Sequence, residues 1–270
     1  MIDSYQLTQG DTPLLISMPH AGTALTPEVE VRLTPQALSL ADTDWHIPKL
    51  YDFAAELGAS RIEARYSRYV IDLNRPEDDA PLYVGATTGL FPDVDFDGRG
   101  LFRDDQAPDQ EAQRWAKEHV WRPYHAALAG ELARLQARFG YVLLFDAHSI
   151  RSRIPRLFND QLPDINLGTF EEQSCDPELS KTLLARCEAQ SRFTHVINGR
   201  FKGGHITRSY GDPANHIHAV QLELSQRTYM NEPKDDTPVF AYRPDRADEV
   251  RPLLRSLLET MLQWGEDRYG

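Results

Sequence analysis

The sequence predicts an α/β protein: a single domain with a mostly parallel or mixed central sheet flanked by helices. Three observations predict it. Leu14-Leu15-Ile16-Ser17-Met18 and Tyr141-Val142-Leu143-Leu144-Phe145 are short apolar runs of the kind that form strands buried on both faces. Stretches of helical period lie between such runs, so strands alternate with helices. Polar residues follow each run at once, Pro19-His20-Ala21-Gly22 after the first and Asp146-Ala147-His148-Ser149 after the second. In open α/β sheets, ligands bind at the carboxyl ends of the strands.

Taken in order, the first strand is followed by a polar loop from Gly22 to about Pro35. Asp42-Thr43-Asp44 then reads as a helix start, since acidic residues favour the positive end of a helix and Pro48 is tolerated only in a first turn. Leu50, Phe53, Ala54 and Leu57 have helical spacing, and Gly58 is a stop signal. Tyr69-Val70-Ile71-Asp72-Leu73 reads as a strand ending in Asn74-Arg75-Pro76. Residues Glu77 to Ala107, rich in Asp, Gly and Pro, read as a long surface excursion, and such loops are often functional. A long helix spans about Gln110 to Phe139, with Tyr124, Leu128, Leu132, Leu135 and Phe139 as its buried stripe and Pro123 as a kink or break. Asp176-Pro177 opens another helix that ends near Ser191. Thr194–Asn198 is strand-like, Gly203–Arg208 reads as a loop or short hairpin, and Ala219–Leu224 is a strand. A helix from about Asp245 to Trp264 follows. No linker, internal repeat or low-complexity tract interrupts the 270 residues, so 1–270 is read as one domain.

The composition excludes several classes. A net charge of −12 argues against nucleic-acid binding, which needs a basic surface. No stretch is apolar enough to span a bilayer, and no basic region followed by an apolar run marks a secretory signal, so the expected compartment is the cytoplasm. The two cysteines, Cys175 and Cys187, are too few for a disulfide framework and read as ordinary thiols in or near one helix.

The residues at the strand ends are of the types that build a metal site. A catalytic zinc takes three protein ligands, mixing histidine with a carboxylate, and keeps one position for water. His20 and His148 are the candidate imidazoles. Asp44 or its rival Asp42 would supply the carboxylate, although both also suit a helix N-terminus. Glu223, between Leu222 and Leu224, is costly to bury without a partner or a task, which makes it the candidate general acid/base. Its mundane alternative is an outward-facing position on an edge strand. His46, His119 and His125 fall in helical patterns and read as structural, and His216 and His218 receive no role. In an acidic protein, arginines near strand ends imply a pocket for a small acidic molecule, because the guanidinium fork binds carboxylates. Arg75, Arg208 and Arg151 are the candidates, and Arg65 is expected to pair with surface carboxylates.

Read together, Pro19-His20-Ala21-Gly22, Asp42-Thr43-Asp44-Trp45, Ser67-Arg68, Asp72-Leu73-Asn74-Arg75-Pro76, Phe145-Asp146-Ala147-His148-Ser149, Gly203-Gly204-His205-Ile206-Thr207-Arg208 and Gln221-Leu222-Glu223-Leu224 resemble the N-formylglutamate amidohydrolases. Each motif is short, but the ordered set runs from about Pro13 to Tyr229. The resemblance implies a fold similar to zinc-dependent exopeptidases of the carboxypeptidase kind. It implies one Zn2+, or another divalent ion, on His20, Asp44 and His148, with Glu223 as the general acid/base. It also implies that Asn74-Arg75 holds a substrate carboxylate, with Arg208 and Arg151 as further substrate-binding candidates. The implied reaction is hydrolysis of N-formyl-L-glutamate to formate and L-glutamate in histidine degradation. The alternatives are a zinc-dependent amidase or peptidase for another N-acylated acidic amino acid, and a non-catalytic binder of acidic metabolites.

Overall fold

The strands are β1 (Tyr5–Thr8), β2 (Leu14–Met18), β3 (Ser60–Ala64), β4 (Val142–Ile150), β5 (Ile165–Gly168), β6 (His195–Ile197) and β7 (Ile217–Ser225). In this computed structural model, which describes residues 2–82, 88–104, 106–233 and 240–270, they join one mixed sheet in the order β1-β3-β2-β4-β7-β5-β6. The four inner strands β3, β2, β4 and β7 are parallel. Antiparallel pairing occurs toward both margins, where β1 meets β3 and β5 meets β7.

The helices are α1 (Pro27–Arg32), α2 (Ile47–Leu50), α3 (Gln110–Ala116), α4 (Arg122–Phe139), α5 (Pro177–Glu188), α6 (His205–Tyr210) and α7 (Pro244–Tyr269). Because strand side chains alternate between faces, the sheet supplies two cores. Leu14, Ile16, Leu143, Phe145, Ala147, Leu222 and Leu224 pack with Leu183 of α5 and with Leu254, Leu257, Leu258 and Met261 of α7. On the other face, Leu15, Val142, Leu144 and Ala219 meet Tyr124, Leu128, Leu132 and Leu135 of α4. Further along the strands this second face changes character. Ser17, Asp146, His148, Gln221 and Glu223 follow there, all buried, while the first face stays apolar. The abrupt change from apolar run to polar residues in the sequence is therefore a change on one face only.

Several expectations need correction. Tyr69–Leu73 is not a strand. Those residues form turns, and the strand in that region is β3, nine residues earlier. Asp42–Leu57 is not one helix: Asp42–Asp44 is a turn, His46 takes a left-handed φ of 63°, and only α2 and a 3-10 turn at Asp52–Ala55 follow. Gly203–Arg208 is neither loop nor hairpin throughout, since α6 begins at His205. Glu223 lies on an inner strand, not an edge. The long helix is continuous, but Lys117–Trp121 forms a π turn just before Pro123. Proline lacks an N–H and clashes with the carbonyl four residues back, and a widened turn relieves both conflicts. The excursion after Glu77 has no regular element among its described residues, yet it buries Leu90, Phe96 and Leu101; residues 83–87 and 105 lie outside the described residues. Cys175 and Cys187 are free, buried thiols in and beside α5. Among the described residues, no helix is long and apolar enough to cross a membrane.

Two histidines away from the strand ends tie the fold to pH. His125 is stacked on Trp121 and pairs with Tyr210 and with the Leu73 carbonyl, both at 2.9 Å. Burial first, and then His205, pushes it down to about 3. His218 accepts from the Asp176 backbone N–H at 3.1 Å and contacts the Tyr269 hydroxyl, and burial pushes it down to about 4. In the unfolded chain both titrate near about 6.5. Below that pH the unfolded state binds more protons, so the stability they confer is complete above about pH 6.5 and is lost as pH falls toward the folded values. Each histidine should contribute a loss of about 1–2 kcal/mol between pH 7 and pH 5, read in urea unfolding as the change in that pH difference on going from wild type to His125→Gln or His218→Gln; an unchanged pH difference in both variants would refute the assignment.

Candidate active site

His20 lies two residues beyond β2, and a backbone bond from the Asp44 N–H to the His20 carbonyl, 3.0 Å, ties the Asp42–Asp44 turn to it. His148 and Glu223 are register partners on the adjacent strands β4 and β7, so both project from the same face. The ligand atoms of His20, Asp44 and His148 all lie within 4.8 Å of one another, a group that could hold a metal ion. Asp44 Oδ2 is 3.0 Å from His148 Nδ1 and 3.8 Å from His20 Nδ1, and the two rings are 4.9 Å apart.

The outward nitrogens are held by carboxylates. His20 Nε2 pairs with Asp72 Oδ1 at 2.7 Å, and Arg68 donates to Asp72 Oδ2 at 2.5 Å. His148 Nε2 lies 3.0 Å from Asp146 Oδ2, whose other oxygen accepts from Ser17 at 3.0 Å. With Nε2 engaged outside, Nδ1 of each ring faces Asp44. This is how histidine ligands are oriented, with the second nitrogen on a carboxylate that fixes the tautomer. Arg68 approaches His20 Nδ1 at 3.3 Å, as a donor does toward a lone pair.

The electrostatics fit a cation. Burial, then Arg68, lowers the pKa of His20, favouring the neutral ligand form. Burial alone would raise the Asp72 carboxyl, but Arg68, His20 and Arg75 hold it well below the usual carboxylate range. Burial disfavours protonation of His148, yet Asp146 and Asp44 outweigh it and raise its pKa well above the usual value. Burial chiefly, with Asp44 and Asp146 adding, pushes Glu223 up to about 8. Asp44, Asp72 and Asp146 are buried around the two rings, against a single buried arginine, Arg68, among the described residues. Such a surplus of buried negative charge is what a divalent ion offsets.

Geometry also separates the two aspartates. Asp42 points away: it accepts from the Phe96 N–H at 2.9 Å and lies 3.8 Å from Arg151, and burial pushes it up to about 6. It braces the long loop, whereas Asp44 joins the histidines.

Asn74 connects the centre to α6. Its Oδ1 accepts from the Ile206 N–H at 2.8 Å, and its Nδ2 lies 3.0 Å from His148 Nε2 and 3.4 Å from Asp146. Gly204 makes this approach possible, because a Cβ there would sit 2.3 Å from Asn74 Nδ2. The Gly204 N–H also donates to Gln221 Oε1 at 2.6 Å, and Gln221 Nε2 reaches Glu223 at 3.5 Å. Gly204→Ala should therefore displace Asn74 and loosen Gln221, lowering kcat/KM by about 10- to 100-fold while the chain still folds. Wild-type turnover in a correctly folded Gly204→Ala protein would show that this contact has no influence.

The arginines distribute differently from expectation. Arg75 lines the cavity above the centre, with its Nε donating to the Thr88 carbonyl at 2.7 Å. Arg151 turns instead to Asp97, 3.0 Å, and Asp42, and Arg208 to the Gly203 and Leu82 carbonyls and the Phe170 ring; neither lines the cavity. Arg65 is exposed and donates to Gln6. Sequence reasoning gave no role to Arg68, Arg200, Asp72, Asp146 or Gln221. For Asp146 and Gln221 a signal existed: each stands two residues before His148 or Glu223 on a strand and so shares its face.

The cavity measures about 70 Å³ and is lined by His20, Asp44, His148 and Glu223 with Arg68, Arg75 and Arg200. That is small beside the roughly 300–1,000 Å³ of sites for drug-sized ligands. A larger groove of about 830 Å³, beside α1 and α3 and lined by Val29, Tyr66 and Trp115, contains none of these groups. Fold and site together define an α/β protein with one convergent, buried polar centre at the carboxyl ends of its inner parallel strands.

Residues 12–230 match the family described as N-formylglutamate amidohydrolase, and the chain belongs to that family. It is 59% identical over 262 residues, 97% of each chain, to an N-formylglutamate deformylase of Pseudomonas aeruginosa. A second N-formylglutamate deformylase, from Pseudomonas putida, is 58% identical over 261 residues, covering 97% of this chain and 96% of that one. Among solved structures, an N-formylglutamate amidohydrolase from Ralstonia eutropha superposes with a TM-score of 0.79 at 24% identity, covering 98% of both chains. A gene product of Agrobacterium tumefaciens gives 0.72 at 17% identity, covering 96% of both. These two likenesses speak to the fold.

Proposed function

We propose that this protein is an N-formylglutamate deformylase that hydrolyses N-formyl-L-glutamate to formate and L-glutamate. The observation that carries the reading is the convergence of His20, Asp44, His148 and Glu223 in one buried cavity, in a chain 59% identical to a deformylase. His20, His148 and Asp44 would hold one Zn2+ or another divalent ion beside the cavity. When bound, such an ion supplies Lewis acidity at the formyl carbonyl and makes water acidic near neutrality.

The chain's own residues supply the rest. Glu223 takes a proton from the attacking water and delivers it to the amide nitrogen as the C–N bond breaks, a transfer worth about 10²–10⁴ in rate. Arg68, beside His20 on the cavity wall, stabilises the negative oxygen that develops on the former carbonyl. Asn74 and Arg75 hold the α-carboxylate. Arg151 and Arg208, the other expected substrate contacts, are turned in this structure to Asp97 and to the Gly203 and Leu82 carbonyls. The narrow cavity excludes bulk water and suits formyl, the smallest acyl group. The whole of 1–270 acts as one domain, in a cytoplasmic route of histidine degradation. The kinship to zinc exopeptidases is part of the same reading, supported by a metal-type centre at the ends of parallel strands.

Release of free L-glutamate from N-formyl-, N-acetyl- and N-succinyl-L-glutamate tests the function. The expected order places the formyl substrate first by at least about 100-fold. Equal rates would favour a general N-acyl amidase. No turnover with any of them, together with tight glutamate binding, would favour a metabolite-binding protein.

A further inference from the structure

The proposed reaction leaves one substrate group without a receptor. Asn74 and Arg75 accommodate one carboxylate, and N-formyl-L-glutamate carries two. The remaining lining of the cavity points to where the second one goes. Phe96, Ile150, Leu157 and Phe201 form one side of it. They belong to a small apolar cluster of their own, separate from the two cores on the sheet faces. Two cations border that side: Arg68, over the Phe96 ring and engaged by Asp72, and Arg200, over the Phe201 ring. The Arg200 Nε donates to the Leu157 carbonyl at 3.0 Å, which fixes the guanidinium on the loop that follows β4.

Arg75 and Arg200 both border the cavity that holds the reacting centre. Arg75 follows Asn74, whose Nδ2 is 3.0 Å from His148 Nε2, and Arg200 is held at Leu157, beyond the end of β4. A substrate held by both lies along the cavity that His148 and Glu223 line. An apolar wall that ends in a guanidinium is complementary to a short methylene chain that ends in a carboxylate. That is the side chain of glutamate, and the neutral amide of glutamine would lack the charge–charge pairing.

We propose that Arg200 is the specificity-determining residue: it receives the distal carboxylate of the substrate while its methylenes pack on Phe96, Ile150, Leu157 and Phe201. This assignment rests on the deformylase reading for the identity of the acyl group, but not for the acidity of the side chain it recognises. It replaces Arg151 and Arg208 as the expected receptors.

The test compares wild type, Arg200→Met and Arg200→Lys on N-formyl-L-glutamate and N-formyl-L-glutamine, with thermal unfolding to confirm folding. Arg200→Met should lower kcat/KM for the glutamate substrate by about 100-fold, mainly through KM, and change that for the glutamine substrate by less than about 3-fold. Arg200→Lys should recover part of the loss, because a point charge remains without the fork. Equal losses on both substrates, or no loss on either, would overturn the assignment. If wild type turns over neither substrate, the deformylase reading fails by itself. Calorimetry with L-glutamate and L-glutamine then decides the role of Arg200: wild type prefers glutamate and Arg200→Met does not, or the preference survives and the proposal is wrong. Should Arg200→Met fail to fold, the same comparison is made with Arg200→Lys, whose preference for the glutamate substrate must shrink by at least about 5-fold.

Discussion

Glu223→Gln should lose at least about 10³-fold in kcat while it keeps its fold and its bound metal. The substitution is nearly isosteric, and it removes the one function the account assigns to this carboxylate, carrying a proton. Glu223 lies opposite His148 in the strand register and within reach of Gln221. A glutamine there keeps the shape of the cavity but has no basic oxygen for the water's proton. The loss should fall on kcat with KM changed little, since the substitution leaves Asn74 and Arg75, the proposed α-carboxylate receptors, untouched. Steady-state kinetics and metal analysis of the same preparation check both halves. A variant with a tenth or more of wild-type kcat would assign the proton to another group.

His148→Ala should be as damaging by a different route. It removes one of the three proposed ligands and leaves Asp44 and Asp146 facing each other without the imidazole between them. Metal content should fall from one ion per chain to near zero, and turnover should fall with it by at least about 10³-fold. Asp146→Asn is the informative comparison. It leaves all three ligands in place but alters the group that orients His148, so metal affinity should drop by only about 10- to 100-fold and added metal should restore much of the activity. Together with Glu223→Gln, these variants give three distinct outcomes: metal lost, metal weakened, and metal kept without turnover. A His148→Ala protein that binds the ion as tightly as wild type would remove His148 from the ligand set.

Much of this organisation was legible in the sequence because the inner strands announce themselves. β2, β4 and β7 are buried along their length, so their apolar runs stand out. The polar residues that follow are on the face where the cover of α4 gives way to the site. β3 escaped notice because Arg61 and Glu63 interrupt its apolar residues and only alternate positions are fully buried. Tyr69–Leu73 has strand-like composition but folds as turns, because Asp72 must face both His20 and Arg68. Tertiary contacts override local preference there. The six-residue α6 is too short to show a helical period, and it begins directly after a glycine pair set by contacts with Asn74 and Gln221.

Within the site, the residues proposed to ligate and carry protons stand out by type and strand position, as does Arg75, whereas Asp72, Arg68 and Arg200 leave no such sign in the sequence. A carboxylate behind a histidine is invisible until topology brings segments 52 residues apart together, as with His20 and Asp72. Arginines are abundant and long, and a position near a strand end does not say which way the guanidinium turns. Arg151 and Arg208 satisfy that sequence criterion and turn to loop carbonyls and carboxylates. Arg200 has no apolar run before it of the kind that marks β4, and it lines the cavity.

His20, Asp44 and His148 are proposed to share one ion. A crystal of the zinc-loaded protein, with anomalous diffraction collected at the zinc edge, tests this most directly. The account predicts a single strong peak, with His20 Nδ1 and His148 Nδ1 at about 2.0–2.1 Å and an Asp44 oxygen at about 2.0–2.2 Å. A peak coordinated by Asp42, or one that leaves either histidine out, would contradict it.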